Sequence, residues 1–124
     1  MEVPGFLARQ FYVAGSLRNT ADGFSLAARN PLGDGTLVGI GRLAVDGREI
    51  RAAEVSASRA GQPGRIQAAE VSRWAPIRVR KGDAVTLHIV GEPLAPGEHH
   101  LEVELFEVNL GALRFSIADR VADG

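Results

Sequence analysis

Apolar residues recur along this chain with a period of two, in short runs separated by glycine, proline and Asp-Gly pairs. Side chains line one face of a β-strand at that spacing, whereas a helix face would need a period of 3.6. The plainest run is Ala84 to Val90, where Val85, Leu87 and Ile89 share one face and Thr86 and His88 the other, after a Lys81-Gly82-Asp83 turn. His99 to Val108 starts alike, with Leu101, Val103 and Leu105 opposite Glu102 and Glu104, but Phe106 and Val108 fall in the other parity. That change predicts a bulge, a bend or a change of sheet near Leu105. Beyond Asn109-Leu110-Gly111, Leu113, Phe115 and Ile117 alternate with Arg114, Ser116 and Ala118, which predicts a C-terminal hairpin followed by a polar tail whose last residues fray.

Earlier in the chain, Phe24, Leu26 and Ala28 alternate after Ala21-Asp22-Gly23 and predict a hairpin with Ser16 to Thr20. Leu43 and Val45 run into Asp46-Gly47 and then Arg48-Glu49-Ile50; Asp-Gly between short alternating runs marks a tight hairpin because both residues tolerate positive φ. Glu54 to Ala57 and Arg65 to Ala69 flank a Ser58 to Gly64 loop, and Ile77 to Arg80 follows Trp74-Ala75-Pro76. Strands at intervals of about 8 to 12 residues favour a sandwich or barrel over βαβ units. Only Ile50 to Ala60 competes as a helix, and its β-branched positions and missing apolar stripe argue against one. The expectation is an all-β, two-sheet antiparallel sandwich with little or no helix, in a single domain over residues 1–124, with no internal repeat or linker.

Composition narrows the functional classes. The hydrophobic share of 45% and charged share of 23% are those of an ordinary globular chain. There is no cysteine, so disulfides and thiol chemistry are excluded and a cytoplasmic setting is expected. No stretch approaches the roughly 20 apolar residues of a membrane span, and no export signal opens the chain. Net charge is −1 with both signs interspersed, although every basic residue but Lys81 is arginine. Neither nucleic acid nor membrane is an expected partner.

Residues with chemical potential read mostly as scaffold. His99 and His100 are adjacent and would point to opposite faces of a strand, and His88 has no third ligand to complete a metal site with either. Glu102 and Glu104 could form a carboxylate pair but fit a solvated strand face. Ser16, Ser25, Ser56 and Ser116 stand in no nucleophile context. Gly33-Asp34-Gly35 and Gly39-Ile40-Gly41 open no helix that would bind phosphate, and read as turn and bulge glycines. Trp74, the sole tryptophan, is read first as a packing anchor and second as a partner-contact or sugar-stacking residue.

One run is more specific. Gly91-Glu92-Pro93-Leu94-Ala95-Pro96-Gly97-Glu98-His99-His100-Leu101-Glu102-Val103, with Val45-Asp46-Gly47-Arg48-Glu49-Ile50 and Arg73-Trp74, resembles the C-glycoside deglycosidase beta-subunit family over about residues 24–108. The chain departs from that pattern at Asn30 to Leu37 and after Val108. The resemblance implies an accessory, non-catalytic small subunit of a carbon–carbon lyase acting on 3-oxo C-glycosides. It further implies a larger barrel-type catalytic partner in a hetero-oligomer, a divalent metal in that partner and no cofactor in this chain. Trp74, Pro96, His99 and Asn109 are the partner-contact candidates under it. A free-standing carbohydrate-binding sandwich and a homo-oligomeric structural module are the alternatives.

Overall fold

The period-two runs are strands. In the computed structural model, which describes residues 2–121, the order is α1 (Gly5–Phe11), β1 (Arg18–Thr20), β2 (Gly23–Arg29), β3 (Gly35–Val45), β4 (Arg48–Glu49), β5 (Val55–Arg59), β6 (Ile66–Gln67), β7 (Ile77–Val79), β8 (Ala84–Val90), β9 (Gly97–Glu107) and β10 (Gly111–Val121). One sheet runs β1-β2-β8-β5-β6; the other runs β10-β9-β3-β4, with β7 also paired to β3. All these pairings are antiparallel. The result is the expected all-β sandwich.

The core lies between the sheets. Phe24 and Leu26 of β2, Leu87 and Ile89 of β8, Leu43 of β3 and Leu101 of β9 are the largest of its fully buried strand side chains. Each contributes roughly 1.5–3 kcal/mol by leaving water, which makes their alternation a stability requirement as well as a pattern. The Asp-Gly hairpin between β3 and β4 forms as expected, with Asp46 at φ 52° and Gly47 at φ 81°. Hairpins β1–β2 and β9–β10 also pair as expected.

Three elements differ from the sequence reading. First, β9 keeps one phase along its length: His99, Leu101, Val103, Leu105 and Glu107 face inward, while Phe106 lies half-buried on the outer face. The irregularity sits on the facing strand, where β3 slips register between Leu37 and Gly39 and again between Ile40 and Leu43. Phe106 covers Gly39 and Gly41 there. A Cβ on Gly39 would stand 3.0 Å from the Phe106 ring, and one on Gly41 would stand 2.2 Å from Glu104 Oε1. Close approach, not phosphate, explains both glycines. Second, residues 5–11 form a short α-helix, too short to hold alone. Ala8 and Phe11 are buried, and the helix packs on β10 and β2, closing one side of the sandwich. The helix competitor Ile50 to Ala60 contains only a 3₁₀ turn, Ala52–Glu54, before β5. Third, Asp119 and Arg120, expected in a polar tail, belong to β10; the fraying expected of the last residues concerns 122–124, which lie outside the described residues. Among the described residues no helix is long and apolar enough to cross a membrane.

Candidate functional site

The four partner-contact candidates do not converge. Pro96 and Asn109 are exposed at opposite ends of β9, an eleven-residue strand, which at about 3.3 Å per residue puts them roughly 35–40 Å apart. His99 is buried, at 9% exposure. Trp74 lies in the turn before β7 and is 89% exposed, so the packing role read first for it is wrong. Nothing in the fold covers the indole because the Ser72–Ala75 turn, closed by mutual backbone hydrogen bonds, lifts it off the sheet edge.

His99 is instead a structural tie. Its Nδ1 lies 2.6 Å from Asp46 Oδ2 and its Nε2 lies 2.7 Å from the Ala95 carbonyl oxygen. Both ring nitrogens face acceptors, so the charged imidazolium is the form that satisfies both. The Ala95 carbonyl and then the Asp46 carboxylate hold the His99 pKa above its ordinary value. Asp46 also accepts the His100 N–H at 2.8 Å, and that bond, followed by the His99 bond, holds its carboxyl below the usual range. Asn19 secures the same 91–96 loop, donating to the Leu94 carbonyl and accepting from the Leu94 N–H. His88 lies on β8 in the other sheet, so it does not meet His99 or His100 on a neighbouring strand.

Two further carboxylates are consumed within the fold. Asp119 Oδ2 accepts from the Tyr12 hydroxyl at 2.5 Å and from the Gly15 and Leu17 N–H groups, pinning the segment after α1 to β10. Burial first, then the Asp119 bond, raises the Tyr12 pKa far above its ordinary value. Glu107 accepts three backbone N–H bonds, from Thr36, Asn109 and Leu110. Burial pushes Glu107 upward, but those bonds outweigh it and leave its pKa lowered. Glu102 and Glu104 sit on the outer face with Arg42 and Arg114, a charged strand face and not a catalytic pair. Among the described residues no three metal-ligating side chains come together.

What remains free is the first sheet's outer face and the edge beside it. Strand register lines up Arg18, Ser25, His88, Ser56 and Gln67 across five strands. Ser25 and Ser56 are buried beneath their longer neighbours, and His88 Nε2 bonds Ser58 Oγ at 2.7 Å. Burial first, then Arg65 and Arg18, lowers the His88 pKa, so the ring is neutral at pH 7. A hydroxyl paired with a neutral imidazole resembles a nucleophile and base, but no carboxylate among the described residues bonds the ring to complete a triad.

Next to Ser58 a groove of about 380 Å³ opens between the sheet edges, lined by Arg59, Arg65 and Arg78 with Gln62, and by no acidic residue. Arg59 Nη1 crosses it, donating to the Arg78 carbonyl at 2.5 Å. A second hollow of about 470 Å³ shares Arg59 and Arg78 and adds Arg80. Sequence reading passed over these arginines because they come from separate runs. The visible signal was the alternation Ile77-Arg78-Val79-Arg80, which puts two guanidiniums on one strand face.

Comparison with protein-family models gives a match to the hydroxymethylglutaryl-CoA reductase, N-terminal domain, over residues 7–122. The chain belongs to that family. This overturns the deglycosidase resemblance, and the structure supplies the reason that resemblance arose. Asp46-Gly47 is there to turn a hairpin, and the 91–103 run is a loop, 91–96, held by Asn19 and His99, followed by the start of β9. Such turn chemistry recurs in unrelated sandwiches. No match was found among curated proteins.

Proposed function

We propose that this chain, as a hydroxymethylglutaryl-CoA reductase N-terminal domain, is a non-catalytic accessory module that docks on a larger, separate catalytic chain. Trp74 is the observation that carries this reading. A tryptophan exposed to 89% costs solubility and contributes nothing to this fold, and tryptophan is among the side chains most enriched at the energetic centres of protein interfaces. The carboxylates with the richest hydrogen bonding, Asp46, Glu107 and Asp119, are spent on internal ties, which agrees with a module that brings no reaction centre of its own. The cysteine-free sequence supports a cytoplasmic setting.

The test is capture from the native host with this chain as bait, followed by mass identification and an assay of hydroxymethylglutaryl-CoA reduction with the chain present and removed. A stoichiometric catalytic partner that weakens or loses the reaction without this chain is the expected result. Elution alone, or only with copies of itself at native abundance, defeats the accessory reading.

A further inference from the structure

The arginine-lined groove has features that the docking of Trp74 does not use. On the second sheet's outer face Arg42 and Arg114 are paired with Glu49, Glu102, Glu104 and Glu2. At the opposite edge, the guanidiniums of Arg65, Arg78 and Arg80 have no ion pair or side-chain hydrogen bond among the described residues. Two acids, Asp34 and Glu107, line the second hollow; Asp34 accepts the Lys81 N–H at 2.9 Å and Glu107 accepts three backbone N–H groups, and neither is ion-paired to these arginines. Four guanidiniums, Arg59, Arg65, Arg78 and Arg80, thus face two carboxylates, a net positive strip in a chain of net charge −1.

Its shape selects among anions. Two neighbouring open hollows, divided where the Arg59 side chain bonds the Arg78 carbonyl, make an interrupted trough and not a closed cup around a small molecule. Both flanking strands, β6 and β7, are edge strands of two and three residues. An extended chain presents alternate side chains about 6.6 Å apart along one face, a repeat suited to successive guanidiniums along such a trough. No aromatic ring lines either hollow, so bases of a nucleic acid would find no stacking platform.

We propose that this trough receives an acidic segment of a polypeptide partner, laid extended across Arg65, Arg59, Arg78 and Arg80. The inference rests on the docking reading above only in taking the partner to be a protein. It adds where part of that partner lies and what charge it carries.

The probe is a fluorescein-labelled hexaglutamate peptide, followed by fluorescence polarisation at low salt. The expected result is saturable binding that salt weakens. Arg65→Ala and Arg78→Ala should each weaken it about tenfold, the factor one charge-assisted hydrogen bond supplies. Arg48→Ala, on the distant β3–β4 turn, should leave it unchanged, and thermal scans of all three variants check that they fold. The proposal is overturned if binding does not saturate or if Arg48→Ala weakens it equally. It is also overturned if free glutamate or inorganic phosphate competes at matched charge concentration, which marks a small-anion site, or if an oligonucleotide binds more tightly than the peptide. Partner capture with Trp74→Ala runs in parallel. No peptide binding, with a capture that Trp74→Ala abolishes, removes the trough inference alone; peptide binding with a capture that Trp74→Ala leaves intact removes the docking reading alone.

Discussion

The His99 tie makes stability depend on pH in a direction that can be worked out. Asp46→Asn keeps a residue that tolerates the positive φ of 52° at the hairpin turn but removes the charge facing the imidazolium. A hydrogen bond to a charged group contributes about 1.5–3 kcal/mol. Asp46 is half exposed, so screening by solvent reduces this to about 1–2 kcal/mol. For a domain of this size that corresponds to a Tm lower by roughly 4–8 °C. Because the folded-state pKa of His99 is raised above 6.5, its contribution is fully present below pH 6.5 and is lost as pH rises through the folded value. Asp46 is lowered from 3.8, so its contribution is present above pH 3.8 and is lost as pH falls through its folded value. The difference in Tm between the wild type and Asp46→Asn should therefore be largest between about pH 4 and 6.5 and shrink toward pH 9. Calorimetric scans across that range, with NMR titration of the His99 ring, measure it. A difference that stays flat from pH 5 to 9, or a His99 ring titrating at or below 6.5, would refute the charged tie.

Three other substitutions follow from the packing. Gly41→Val should destabilise by about 1–3 kcal/mol, because its side chain meets both Glu104 and the Phe106 ring and both must shift; chemical denaturation reads the loss. Glu107→Ala leaves the Thr36, Asn109 and Leu110 N–H groups without their acceptor and should cost about 2–4 kcal/mol in the same assay. Tyr12→Phe removes the Asp119 bond while keeping the buried ring, and hydrogen exchange at Gly15 and Leu17 should speed up more than exchange in the β2–β8 ladder.

The strands and their hairpins were legible because a half-buried sheet writes its pleat into the sequence with period two, and Asp46-Gly47 announces its own turn. Helix α1 was not, because Leu7, Ala8 and Phe11 give too short an apolar stripe to register as a period; its helicity comes from packing on β10 and β2. The phase of β9 misled because Phe106 is a large apolar residue on the outer face, where two glycines of β3, far earlier in the chain, make room for it. Nor did local pattern reveal that His99 is enclosed and Trp74 bare, since tertiary contacts with Asp46 and Ala95, or their lack, decide burial. The arginine trough escaped for a like reason: β7 meets β5 and β6 only across the gap between the two sheets.

The proposed docking puts Trp74 in an interface with a catalytic partner. As the sole tryptophan, it can be replaced by fluorotryptophan to give one fluorine NMR signal from this chain. In the free chain that signal should show the full solvent-isotope shift of an exposed ring. On adding the captured partner, it should broaden, move and lose that sensitivity to solvent. A signal that keeps its position and its solvent response in the presence of a stoichiometric partner would contradict the account.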